Sequence, residues 1–175
     1  RGGPMNPQTK KMYVSKTVAS LKPSGVRRFF DLASSLDGVI SLGVGEPDFV
    51  TSWSIREASI LSLEQGYTSY TANAGLLELR QEIAAYLRRK FHVEYRPETE
   101  ILVTVGASQA IDLALRAIVN PGDEVIVVEP SFVAYEPLVV LAGGTPVIVH
   151  ASGADGFQLM PAHIERAITE RTKAV

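Results

Sequence analysis

"ILVTVGASQAIDLAL", residues 101–115, changes character halfway. Ile101 to Val105 is a short apolar run rich in β-branched residues, which predicts a strand, whereas Ala107 to Val119 places Ile111, Leu115 and Ile118 at helical spacing. Gly106 therefore falls at a strand-to-helix joint. Three kinds of chemistry use such a joint: an anion held on the helix N-terminus, a dinucleotide in a glycine-rich turn, or a nucleophilic serine on a sharp elbow.

For an anion, the amides at the start of the helix, around Gly106 to Ser108, point outward, and the helix dipole adds partial positive charge there. Gly106 lets the backbone approach closely, and the Ser108 hydroxyl can donate a further hydrogen bond. The same residues also suit a plain turn followed by a serine cap, and this stretch alone leaves the two readings level. The dinucleotide turn needs further glycines where this chain has Ala110 and Asp112, and it normally follows the first strand rather than lying a hundred residues in. In the elbow reading Ser108 would be the nucleophile, Glu129 or Asp155 the acid, and His150 or His163 the base. Against it, alanine replaces the second elbow glycine, His150 reads as a strand end and His163 as a helix surface residue. The three histidines lack metal-ligand spacing, so no metal is expected.

Working outward from the joint, Val39 to Leu42 predicts a strand running into the loop "GVGEPDF". Residues 54–65 predict a helix that Gly66 stops. A polar, aromatic loop precedes a second helix from about Leu76 to Phe91, with Leu79, Ile83 and Leu87 as its apolar stripe and Arg80 among the charges on its other faces. After the joint helix, "NPGDE" signals a turn, and the unbroken Val125 to Val128 suits a strand covered on both faces. A helix over 134–142 ends at Gly143 and Gly144, a strand spans Pro146 to Val149, and Pro161 opens a helix to about Thr169. That alternation predicts an α/β fold with a mostly parallel sheet and right-handed crossovers.

Bulk properties narrow the classes. The 175 residues are 46% hydrophobic and 21% charged, an ordinary globular balance. A net charge of -2 gives no pull toward nucleic acid or an anionic membrane, and neither is expected as a partner. No apolar run reaches the roughly 18 residues of a membrane-spanning helix. Cysteine is absent, which removes disulfides and thiolate chemistry and makes the cytoplasm the default compartment. The first thirty residues carry seven basic side chains and no acid, and residues 1–4, ahead of Met5, resemble an expression remnant. At the other end, Ala174 and Val175 fall where a further buried strand should begin, so the chain is expected to be the N-terminal part of a longer protein.

Five stretches in order, "VISLGVGEPDF", "YTSYTANAGLLELR", "ILVTVGASQAI", "NPGDEVIVVEPSFVAYEPLVVLAGG" and "ITERTKAV", resemble the first half of a class I/II aminotransferase. Such proteins are fold type I enzymes that use pyridoxal 5'-phosphate (PLP), and the likeness runs from about Val14 to the end. It implies an N-terminal arm and start of a small domain over residues 1–40, and the first part of the PLP-binding large domain over 41–175. Gly106, Ala107 and Ser108 would hold the cofactor phosphate, and Phe132 would stack on the pyridine ring. Val44 and Gly45 would line the substrate pocket near the α-carboxylate, and Tyr70 would reach the cofactor phosphate of the neighbouring subunit in a homodimer. The first turn after "PDF" departs from the family, with "VTSWS" where relatives read threonine-proline.

The resemblance also implies residues that this chain does not supply. The lysine that carries the cofactor, the aspartate on its ring nitrogen and the arginine on the substrate carboxylate are expected beyond Val175, so the segment alone is expected to be inactive. The implied reaction moves an amino group between an α-amino acid and a 2-oxo acid. Carbon-sulfur lyases of the same fold and a noncatalytic ligand-binding relative remain alternatives.

Overall fold

The computed structural model describes residues 13–21, 32, 38, 45 and 47–175. The chain divides into two compact units, one of Val26–Thr104 and one of Arg1–Gly25 with Val105–Val175. The predicted strand at Val39 to Leu42 lies outside the described residues.

In the second unit a short helix α1 (Lys16–Ser20) precedes α4 (Gly106–Ile118), β1 (Glu124–Glu129), α5 (Tyr135–Leu141), β2 (Thr145–His150), α6 (Pro161–Ala167) and β3 (Thr172–Ala174). The strands form one sheet in the order β2-β1-β3. Both pairings of the central β1 are parallel: Glu124 to Glu129 align with Thr145 to His150, and Glu124 and Val125 align with Thr172 and Ala174 across an irregularity. Parallel pairing demands crossovers, and helices α5 and α6 sit in the intervals between the strands.

The core explains the central position of β1. Val125 and Val127 point to one face and pack with Leu115 and Val119 from the α4 end and Val139 of α5. Ile126, of opposite parity along the strand, is also buried, so both faces of β1 are covered. Each fully buried aliphatic side chain contributes about 1.5–3 kcal/mol relative to exposure. The turn into β1 is fixed by Asp123, whose Oδ2 accepts from the Asn120 N–H at 2.8 Å while its own N–H donates to the Asn120 carbonyl at 3.0 Å. The hydrogen bond donated by the Asn120 N–H to Oδ2 holds the Asp123 carboxyl below its ordinary pKa. Between α5 and β2 the chain passes so close to the core that a Cβ on Gly144 would stand 2.8 Å from Val119 Cγ1 and 3.2 Å from Val139 Cγ1.

The other unit contains α2 (Trp53–Glu64) and α3 (Leu77–Phe91). Helix α2 buries no residue and exposes Trp53, Ile55, Ile60 and Leu63. Helix α3 ends at His92, which takes the left-handed conformation and donates its N–H to the Arg88 carbonyl.

Three expectations are corrected. Ile101 to Val105 does not form a strand; the Val103 N–H donates to the Ala74 carbonyl at 3.0 Å, a loop contact in place of a ladder. Arg80, placed by its charge on an outer face of α3, is the buried residue of that helix, because its Nη1 donates to the carbonyls of Pro97 at 2.6 Å and Glu98 at 3.2 Å. Helix α6 stops at Ala167, short of Thr169, because Thr169 starts the turn into β3: its N–H donates to Thr172 Oγ1 at 2.8 Å, and the Thr172 N–H donates back to its carbonyl.

Candidate functional site

In parallel α/β sheets ligands bind beyond the carboxyl ends of the strands. Helix α4 leads through the tight Asn120–Asp123 turn into β1 and so runs back along it, which puts Gly106 to Ser108 at the end where β1 finishes. From that end the chain continues through Pro130 and Ser131 to Phe132 and into α5. Ile111 of α4, Val128 of β1, Pro130, Ser131 and Tyr135 line a common apolar groove of about 510 Å³. The sheet end thus has an apolar groove between α4 and β1, with Tyr135 in its lining.

The helix start is built to present donors. Val105 stands at the N-cap position, where it has no side-chain oxygen to turn back on the first amides. Gly106 adopts φ +80°, and among the described residues nothing lies within 4 Å of where a Cβ there would stand. The backbone N–H groups of Ala107 and Ser108 have no carbonyl one turn back within the helix to receive them. The Ser108 side chain is exposed, and among the described residues its hydroxyl makes no hydrogen bond. Gln109 reaches back, its Oε1 accepting from the Val105 N–H at 2.5 Å and fixing the entry of the chain. Gln109 carries no standard capping signal in the sequence, because it is the fourth helical residue and the N-cap is valine instead of serine or threonine.

This donor set fits a phosphate monoester: amides, a hydroxyl and a dipole of the right sign, with no carboxylate in the first turn of the helix. It offers little to an elbow nucleophile. Among the described residues no base contacts the Ser108 hydroxyl; His163 Nδ1 instead accepts from the Met160 N–H, and His150 lies 3.5 Å from Glu129. Asp112, where a dinucleotide turn needs close approach, is paired with Arg116 Nε at 2.9 Å.

Phe132 is half exposed and meets Tyr135 edge-on, with centroids 5.7 Å apart and planes at 77°, so one face of its ring is free of Tyr135. Gly106, Ala107, Ser108 and Phe132 therefore belong to one unit and one end of one sheet. Tyr70 and Gly45 belong to the Val26–Thr104 unit. Tyr70 is fully exposed, and among the described residues nothing lies within 4 Å of where a Cβ on Gly45 would stand. Val44 lies outside the described residues.

The chain is 64% identical over 163 residues to a Bacillus subtilis protein named "Putative aminotransferase YugH", covering 93% of this chain and 42% of that one. It is 42% identical over 164 residues to the aspartate aminotransferase of Pyrococcus abyssi, covering 94% of this chain and again 42% of the relative. Among solved structures, the Thermus thermophilus aspartate aminotransferase with maleate superposes with a TM-score of 0.83 at 41% identity, over 91% of this chain and 43% of that one. The chain thus spans about two fifths of the length of the relatives it matches. The α/β fold with its parallel sheet is that of fold type I aminotransferases. Residues 37–175 match the family model for aminotransferases of class I and II, and the chain belongs to that family.

Proposed function

We propose that the protein to which this chain belongs is a PLP-dependent aminotransferase that moves an amino group between an α-amino acid and a 2-oxo acid. The observation that carries this reading is the exposed first turn of α4, with Ser108 outward at the carboxyl end of a parallel sheet, in a chain of the aminotransferase family. PLP, when bound, supplies an electron sink that makes the substrate α-hydrogen removable.

Everything else asked of these residues is binding and orientation. The amides of Ala107 and Ser108, the hydroxyl of Ser108 and the close backbone at Gly106 hold the phosphate. The free face of Phe132 fixes the plane of the ring. Val44 and Gly45 leave room for the substrate carboxylate. Tyr70 serves the phosphate site of a second subunit in a homodimer, a role supported by its full exposure and by the apolar residues that α2 leaves uncovered. The lysine that carries the cofactor belongs to the rest of the protein in this reading, because none of Lys10, Lys11, Lys16, Lys22, Lys90 and Lys173 lies in the stretches that form the site. Residues 1–40 form the arm and start of the small domain, residues 41–175 the first part of the large domain, and the cytoplasm is the compartment that suits a chain without cysteine.

The test is reconstitution. Full-length apoprotein mixed with PLP should acquire a visible absorbance band, lose it on borohydride reduction, and pass an amino group from an amino acid to a 2-oxo acid. Release of free ammonia or a thiol in place of the exchange would identify a lyase, and failure to take up PLP would end the reading.

A further inference from the structure

The loop at residues 68–75 rests on Val103 through two contacts: the Val103 N–H donates to the Ala74 carbonyl at 3.0 Å, and Gly75 lies directly against the Val103 side chain. A Cβ at Gly75 would stand 2.7 Å from Val103 Cβ and 2.9 Å from its Cγ2, closer than carbon atoms approach without something shifting. Gly75 also holds φ at +92°, where a side chain is strained irrespective of space. This seat lies within the Val26–Thr104 unit, and the loop it holds carries Tyr70, five residues before Gly75. Among the described residues, neither the loop nor the Val103 segment belongs to a helix or strand at the point of contact.

We propose that Gly75 is a positioning residue for the cofactor site: its missing side chain lets the Tyr70 loop seat on Val103, and that seat sets PLP affinity. The inference rests on the PLP reading above. Both contacts face inward between the two segments, so a bulkier residue acts by lifting one segment from the other and touches no ligand itself.

The experiment uses the full-length protein stripped of PLP, with the dissociation constant for PLP from equilibrium dialysis, amide hydrogen exchange at Val103 and the melting temperature measured together. Gly75→Ala should raise the dissociation constant about tenfold or more, the scale of a modest overpacking penalty, and should speed exchange at the Val103 amide. Val103→Gly removes the obstructing atoms, so the Gly75→Ala penalty in affinity should shrink to about threefold or less in that background. A Gly75→Ala protein that melts lower yet binds PLP like the parent overturns the inference, as does an equal penalty in both backgrounds. Should Gly75→Ala not fold, Val103→Ala decides: faster exchange with weaker PLP binding supports the seat, and unchanged PLP binding overturns it. An unaltered protein that takes up no PLP defeats the cofactor reading itself, a different result from altered ratios among variants.

Discussion

Arg171 grips Glu124 across the start of the sheet: its Nε donates to Glu124 Oε1 at 2.9 Å, and its Nη2 donates to the same oxygen. Thr169 completes the arrangement by donating its hydroxyl to Oε2 at 2.6 Å. One carboxylate at the head of β1 thus ties down the turn that delivers β3. The Glu124 side chain is buried although Arg171 is largely exposed, so the acid loses water while its partner does not.

The hydrogen bond from Thr169, then those from Arg171, hold the Glu124 carboxyl below its ordinary pKa. A depressed carboxyl stabilises the fold fully above its unfolded value and loses that contribution as pH falls through the lower, folded value. Glu124→Gln should therefore melt below the parent at neutral pH, and the gap should close below about pH 4. Paired thermal melts across that range check this, and a gap that persists unchanged in acid contradicts it.

Gly144→Ala should destabilise by about 1–3 kcal/mol, because its Cβ enters space held by Val119 and Val139. Trimming one wall with Val139→Ala should recover part of that loss in the double variant. Urea unfolding of the two single variants and the double variant gives the coupling directly.

Arg80→Met keeps much of the stem but removes the donors to the Pro97 and Glu98 carbonyls. The expected cost is about 0.5–1.5 kcal/mol, the scale of a hydrogen bond whose acceptors stay within reach of water. Amide exchange over residues 96–100 should quicken while that of the β1 amides stays as in the parent.

Ser108→Ala should weaken PLP binding by the full-length protein about tenfold to a hundredfold, the range for one hydrogen bond to a charged group, without lowering the melting temperature of the apoprotein. Phe132→Ala should also weaken binding, and Phe132→Tyr, which keeps a ring, should not. Dialysis equilibria with PLP measure all three.

Most of the helices were legible because their punctuation is chemical: Gly66 and Gly143 adopt positive φ where the preceding helices end, and Pro161 opens α6. The central strand was legible from the unbroken run Val125 to Val128, which can only be satisfied by cover on both faces. Ile101 to Val105 has nearly the same composition and is no strand, because β structure depends on a neighbour that a local pattern does not contain. Arg80 misled for a related reason: charge predicts exposure, and it is buried because carbonyls distant in the chain meet it. The helix start at Gly106 could be read locally, whereas the packing of Gly75 against Val103 could not.

The place of β1 between two later strands has a consequence for synthesis. Its six residues leave the ribosome before either flanking strand, and the first partner, β2, begins at Thr145. Some fifteen residues of translation separate the end of Glu129 from that moment, about one to three seconds at ordinary elongation rates. Through that interval the valine-rich segment of the nascent chain has neither flanking strand to pair with, so it leaves the ribosome before it can become a strand itself.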